Sequence, residues 1–158
     1  MAKTIISNIE IRKLGGYEII PYELLLLADP DQQVIDKYID DSEIYVTELE
    51  NKIIGVYVLY SPDQHTVEIK NIAVEEKYQG RGIGKMMIDD AMQVSKNKNY
   101  TTLLVGTGNS SISQLAFYQK QGFEIFDIKK NFFVDNYSEP IIEDGIACKH
   151  MIMLTKKL

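Results

Sequence analysis

One stretch restricts the fold of this chain more than any other: Gln79-Gly80-Arg81-Gly82-Ile83-Gly84-Lys85, set between a strand-like run and a helix-like run. Upstream, residues 66–74 alternate in the manner of a strand. Downstream, Ile83, Met87, Ala91 and Val94 recur at helical spacing to about residue 96. A helix that starts on glycines presents unpaired main-chain N–H groups and a positive dipole end, and phosphate binds that combination. Glycine lets the backbone approach the anion with no side chain in between. Arg81 and Lys85 add positive charge at the rim.

Spacing narrows the phosphate ligands. A dinucleotide fingerprint, G-x-G-x-x-G, needs its third glycine where Lys85 or Met87 stands. A nucleotide-binding P-loop ending at Gly84-Lys85 needs glycine where Gln79 stands, and Ser or Thr where Met86 stands. Both fail. The turn alone is also satisfied by a strand-to-helix corner that holds no ligand.

The rest of the chain places this corner in one α/β (α+β) domain over residues 1–158, with no repeat, low-complexity tract or linker to divide it. Residues 4–14 alternate loosely through Ile5, Ile9 and Ile11 and predict a first strand, ended by Gly15-Gly16. Residues 21–28 predict a short helix. Asp29 is the expected cap of a second helix, with Pro30 in its first turn, running to about Ile39. Strands follow at 43–49, 52–61 and 66–74, joined by short turns that imply an antiparallel meander. Beyond the glycine corner come a strand at 101–105, a loop at 106–109 and a helix from Ser111 to Lys120. Ser110 is its expected cap and Gly122 its stop. Residues 123–129 and 149–155 predict the last strands. Residues 131–145, aromatic and polar, predict a loop or hairpin excursion: a cover for an acceptor pocket with Tyr137 and Glu139 near an amine, a dimer contact, or a cover for the sheet edge.

Bulk properties exclude some classes of function. A net charge of −6 disfavours nucleic acid. The chain holds one cysteine, Cys148, so no internal disulfide and no cysteine cluster can form, which suits a reducing cytoplasm. No signal peptide or membrane span is expected, because the apolar block Leu24-Leu25-Leu26-Leu27 is far too short. His65 and His150 stand far apart and suggest neither a metal site nor a triad. Asp29, Asp31, Asp36, Asp40 and Asp41 form an acidic stretch, either a solvated face with caps or an attractor of cations.

The turn fits a further pattern, Q/R-x-x-G-x-G/A, and so resembles the acetyl-CoA pyrophosphate loop of the GNAT N-acetyltransferases. Downstream, Asn109 and the block Phe117-Tyr118-Gln119-Lys120-Gln121-Gly122-Phe123 resemble that family's second coenzyme segment. The spacer behind Asn109 is longer than the common one and its usual alanine is displaced. Residues 43–128 carry the resemblance; residues 1–42 match only in their strand-helix-helix order.

The resemblance implies a mixed, mostly antiparallel central sheet flanked by about four helices, splayed between its fourth and fifth strands. It implies acetyl-CoA as cosubstrate, no metal, and transfer of the acetyl group directly to a primary amine of a small molecule or peptide. A non-catalytic acetyl-CoA-binding module is the alternative. Ile72, Ala73 and Val74 would pair with the pantetheine arm. The N–H groups of Gln79, Gly80, Arg81, Gly82, Ile83, Gly84 and Lys85 would surround the diphosphate, and Asn109 would reach the arm or the diphosphate. Tyr118 would be the general acid at the coenzyme sulfur. Glu68 would be the general base, through water, with Tyr45, Glu48 and Tyr57 as alternatives. A homodimer is a family-level expectation.

Overall fold

The alternating apolar run from residue 43 to residue 74 builds the centre of a sheet, and everything else packs around it. The computed structural model describes residues 6–158. Its elements are β1 (Ile9–Lys13), α1 (Tyr22–Ala28), α2 (Gln32–Asp36), β2 (Glu43–Leu49), β3 (Lys52–Tyr60), β4 (Thr66–Val74), α3 (Ile83–Asn97), β5 (Thr102–Gly108), α4 (Ile112–Lys120), β6 (Glu124–Lys129), α5 (Phe132–Asn136), β7 (Ile142–Glu143), β8 (Ile146–Ala147) and β9 (Met151–Lys157). Seven strands form one sheet in the order β1-β2-β3-β4-β5-β9-β6, and β7 with β8 makes a separate hairpin. The β2–β3–β4 meander is antiparallel. Its first turn is tight because Glu50 and Asn51 both take positive φ, 51° and 65°.

The sheet carries an apolar layer on each face. On one, α3 sets Ile83, Met87, Ile88 and Ala91 against Tyr57, Leu103, Val105 and Leu154, with Tyr118 and Phe123 closing the edge. On the other, Leu24, Leu25, Ile35 and Ile39 cover Val46, Val56, Val58 and Ala73. Burying each such aliphatic side chain contributes about 1.5–3 kcal/mol.

One irregularity in β4 shapes the site. Opposite β3, Val58 pairs with Asn71 and Leu59 with Ile69, so Lys70 is an extra residue. A bulge of this kind bends its strand and exchanges the faces of the side chains beyond it. Before it, Val67 and Ile69 belong to the α3 layer. After it, Ile72 and Val74 pack on that layer while Ala73 joins the α1 layer. At the same point parallel pairing with β5 stops: it runs from Thr66↔Thr102 to Ile69↔Val105 and no further. The expected splay between the fourth and fifth strands is present.

Several boundaries differ from the sequence reading. Residues 4 and 5 of the expected first strand lie outside the described residues; Ile6–Asn8 is a 3-10 turn and β1 starts at Ile9. The second helix is capped by Asp31, whose carboxylate accepts the Gln33 N–H at 2.9 Å. Asp29 instead closes α1, its side chain drawn inward by two tyrosine hydroxyls. α2 ends at Asp36, and Ile39–Asp41 forms a separate 3-10 turn. Gly106, Thr107 and Gly108 extend β5 rather than forming a loop, because β9 pairs with them up to Met151. Ser111, not Ser110, holds the cap position of α4. The 131–145 excursion folds into α5 and half of the small hairpin. Among the described residues no helix is long and apolar enough to cross a membrane.

Candidate functional site

Where β4 and β5 part, a cleft of about 860 Å³ opens. One wall is β4 from Ile69 to Val74, and the other is β5 from Val105 to Gly108. The glycine turn forms one end; Asp29 of the α1 end and Tyr137 of the excursion stand at the other.

At the turn, Gly80 and Gly82 have φ of 73° and 83°, values that L side chains adopt at a cost. A Cβ on either would meet nothing within 4 Å, so the space beside the backbone is open. The Gln79 side chain closes the base of the turn, donating to the Val74 carbonyl at 2.9 Å. From residue 80 to residue 85 no main-chain N–H has an acceptor among the described residues; the first paired one is Met86, which donates to the Gly82 carbonyl. These donors fit the diphosphate of a coenzyme. Gly80, Gly82, Ile83, Gly84 and Lys85 all line the cleft. Arg81 does not: its guanidinium lies over the Tyr78 ring, 5.7 Å from the centroid. Lys85 pairs with Asp89 at 2.8 Å. The cradle is therefore mainly backbone.

Ile72, Ala73 and Val74 line the middle of the cleft. They pair with β3 along one edge, Tyr57↔Ile72 and Gly55↔Val74 marking the register. Their other edge lies past the last β4–β5 pair and faces the cleft, which leaves main-chain groups free for an extended ligand.

Tyr118 lines the same cleft from α4 and is only 4% exposed. Its ring is held between Phe117 at 5.4 Å and Phe123 at 5.9 Å. The hydroxyl makes no hydrogen bond among the described residues. Burial pushes its pKa up from the ordinary tyrosine value, so the hydroxyl stays protonated near neutral pH and holds its proton more tightly than an exposed tyrosine does.

Glu68 stands on β4 just before the bulge, partly buried, with Lys70 at 3.7 Å. It is not part of the cleft lining. Tyr45 and Tyr57 stack on each other at 4.8 Å in the α3 layer, and their hydroxyls donate to Glu43 and Asp90. Burial, then those carboxylates, push both tyrosine pKa values up. Glu48 takes the Arg12 guanidinium at 2.7 Å. None of these three lines the cleft.

Asn109 is occupied elsewhere. Its Oδ1 accepts the Lys149 and His150 N–H groups at 2.8 and 2.9 Å, and its Nδ2 donates to the Ala147 carbonyl at 3.1 Å. It ties residues 147–150, which lead into β9, to the end of β5 and is not among the cleft-lining residues. Gly108 permits that closure, since a Cβ there would stand 2.5 Å from the Cys148 sulfur.

The sequence reading placed Tyr137 near an amine and Asp29 in an acidic stretch open to cations, but missed Asn71 at the far end of the cleft. Asp29 is 8% exposed; it accepts the Tyr137 hydroxyl at 2.7 Å and the Tyr38 hydroxyl at 3.4 Å. Burial pushes its pKa up, against the hydrogen bonds it receives. Asn71, on the α1 side of β4, donates to the Leu25 carbonyl and to the Tyr38 hydroxyl. One signal was available: an asparagine inside an otherwise apolar run, Ile69 to Val74, next to a lysine. Of the two excursion residues expected near an amine, Tyr137 lines the cleft and Glu139 does not.

A strand notch, a backbone phosphate cradle and a buried tyrosine together define an acyl-coenzyme A enzyme, and comparison with known proteins agrees. The sequence profile of the Acetyltransferase (GNAT) family matches residues 16–123. The chain is 46% identical over 133 residues to an uncharacterized N-acetyltransferase of Bacillus subtilis, YvbK, covering 84% of this chain and 86% of that protein. It superposes on a GNAT family acetyltransferase from Elizabethkingia anophelis, solved with acetyl-CoA bound, with a TM-score of 0.94. That pair shares 54% identity, covering 96% of this chain and 99% of the other. An "IAA acetyltransferase" from Bacillus cereus follows, with a TM-score of 0.90 and 47% identity over 95% of this chain and 99% of that one. The chain belongs to the GNAT family and is an N-acetyltransferase.

Proposed function

We propose that this chain moves the acetyl group of acetyl-CoA directly to a primary amine of a small molecule or peptide. The cosubstrate brings the acetyl group as an activated thioester. The open N–H groups of residues 80–85 carry the reading: a run of donors at a helix start, beside a strand edge without a partner, fits a diphosphate with an extended arm. The free edge at Ile72, Ala73 and Val74 holds the arm, and an N–H near Ile72 polarises the thioester carbonyl.

The amine must be neutral to attack, and an alkylamine with a pKa of about 10 is neutral in roughly one molecule per thousand at pH 7. Attack forms the C–N bond and breaks the C–S bond, and the departing sulfur takes a proton. Tyr118 supplies that proton: it stands on the cleft wall with a hydroxyl that makes no hydrogen bond among the described residues, and the departing thiolate must offset the burial that holds its proton. Glu68 accepts the amine proton through water, because its own side chain does not line the cleft while its ion-pair partner Lys70 does. The exposed edge strand β6, with Ile125, Phe126 and Ile128 about half exposed, supports pairing of two copies as a homodimer.

Thiol release from acetyl-CoA across a panel of amino acids, polyamines, aminoglycosides and peptides tests the reading. Acceptor-dependent release is expected. Tight coenzyme binding with no release for any amine would count against it.

A further inference from the structure

The end of the cleft away from the glycine turn holds a carboxylate that forms no ion pair among the described residues. Asp29 receives two tyrosine hydroxyls and the Asp31 main-chain N–H. Among the described residues no lysine or arginine pairs with it. Lys70, which lines the same end, lies over the Tyr38 ring and pairs with Glu68. A buried carboxylate without a positive partner is unfavourable, even when hydrogen-bonded.

Asn71 is an independent observation pointing the same way. It is 4% exposed and lines the cleft. Its orientation is fixed, because Nδ2 must face the Leu25 carbonyl at 3.0 Å. Its Oδ1 is therefore left buried with no donor. Buried polar atoms of this kind are rare in folded proteins and mark a missing partner. The Tyr38 hydroxyl joins the two groups, accepting from Asn71 at 3.2 Å and donating to Asp29. Leu27, Pro30, Phe133 and Ile141 add apolar lining to the same cleft, with Lys70 and Glu143 as its charged members on β4 and β7. The subsite offers two acceptors in search of N–H donors, one negative charge in search of a positive one, and an oily wall.

We propose that Asp29 and Asn71 form the acceptor subsite and take the ammonium group of a small arylalkylamine. Asp29 accepts one N–H and supplies the counter-charge, and Asn71 Oδ1 accepts a second; the third proton leaves through water to Glu68 before attack, which frees the nitrogen lone pair. Tyr137, bonded to Asp29, positions the carboxylate, and the ring pair Phe133–Tyr137, 5.2 Å between centroids, flanks the apolar body. The proposal rests on the acetyl-transfer reading, which is what brings an amine to this end of the cleft.

The test uses the full chain saturated with coenzyme A, with phenethylamine as probe and phenethyl alcohol as its uncharged counterpart. Calorimetry on the coenzyme complex and initial rates with acetyl-CoA are the readouts. The amine is expected to bind and the alcohol not. Asp29→Asn is expected to raise the Kd and KM for the amine about tenfold or more, with coenzyme affinity unchanged. Its thermal midpoint is expected to hold or rise, because an unpaired buried charge has gone; a carboxylate of purely structural use would give a lower midpoint and an unchanged KM. Should Asp29→Asn not fold, Tyr137→Phe is the second variant, with KM expected to rise about threefold as one charge-assisted bond is lost. An unchanged amine Kd in the variants, or no binding of phenethylamine to the coenzyme complex, overturns the proposal. Failure of the wild type to bind coenzyme overturns the acetyl-transfer reading itself.

Discussion

The two ends of the cleft are built from different materials. At the proposed coenzyme end the atoms on offer are main-chain N–H groups on consecutive residues, and glycine makes them accessible. At the acceptor end they are side-chain oxygens from residues far apart in the chain, Asp29, Asn71 and Tyr137, brought together by α1, β4 and the excursion. The first can be conserved in shape while every non-glycine side chain changes. The second changes chemistry with a single substitution. One scaffold therefore keeps a constant donor and leaves the acceptor open to choice.

The sharpest way to break this contrast is to fill the coenzyme end. Gly82→Glu puts a side chain and a negative charge into the open space and strains a φ of 83°. Coenzyme binding, read by calorimetry, is expected to fall by about a hundredfold or more, with the fold retained by circular dichroism. Tyr118→Phe comes next. It removes one hydroxyl at the junction of the two ends, and kcat is expected to fall about a hundredfold while coenzyme Kd stays fixed. Equal loss of both would make Tyr118 a packing residue only.

A smaller effect separates tethering from coenzyme contact. Asn109→Ala removes the acceptor and donor that tie residues 147–150 to the end of β5. A loss of about 1–3 kcal/mol is expected in denaturant unfolding, with the acceptor KM raised and coenzyme affinity nearly unchanged. A large rise in coenzyme Kd would restore Asn109 to the coenzyme. The smallest effect concerns Glu43, remote from both ends. Burial opposes its charge, but hydrogen bonds from Lys98, Lys13 and Tyr45 prevail and hold its carboxyl down at about 2. A depressed folded pKa stabilises the protein above the unfolded value, and that contribution fades as pH falls from about 4.5 toward 2. The thermal midpoint of Glu43→Gln is expected to lie below wild type at pH 7 and to converge with it at low pH.

The contrast also explains how much could be read from the chain before its structure. The coenzyme end was legible because it is local: a strand, three glycines at fixed spacing and a helix occupy one stretch of sequence. The meander was legible because turn residues and alternation repeat over short distances. The bulge at Lys70 was not, since no glycine or proline marks it and only its pairing with β3 reveals the extra residue. Asp29 was taken as a helix cap because Asp-Pro at a helix start is a strong local signal. Tyr137, more than a hundred residues away, draws its carboxylate into the cleft instead. Asn109 was placed on the coenzyme by motif position, but its side chain is satisfied by residues 147–150, a partner no spacing rule anticipates.

A crystal structure of the chain grown with acetyl-CoA tests the backbone cradle most directly. The expected result is diphosphate oxygens within about 3 Å of the N–H groups of residues 80–85, with the arm along Ile72, Ala73 and Val74. A coenzyme bound elsewhere, with the turn vacant or filled by a protein side chain, would contradict it.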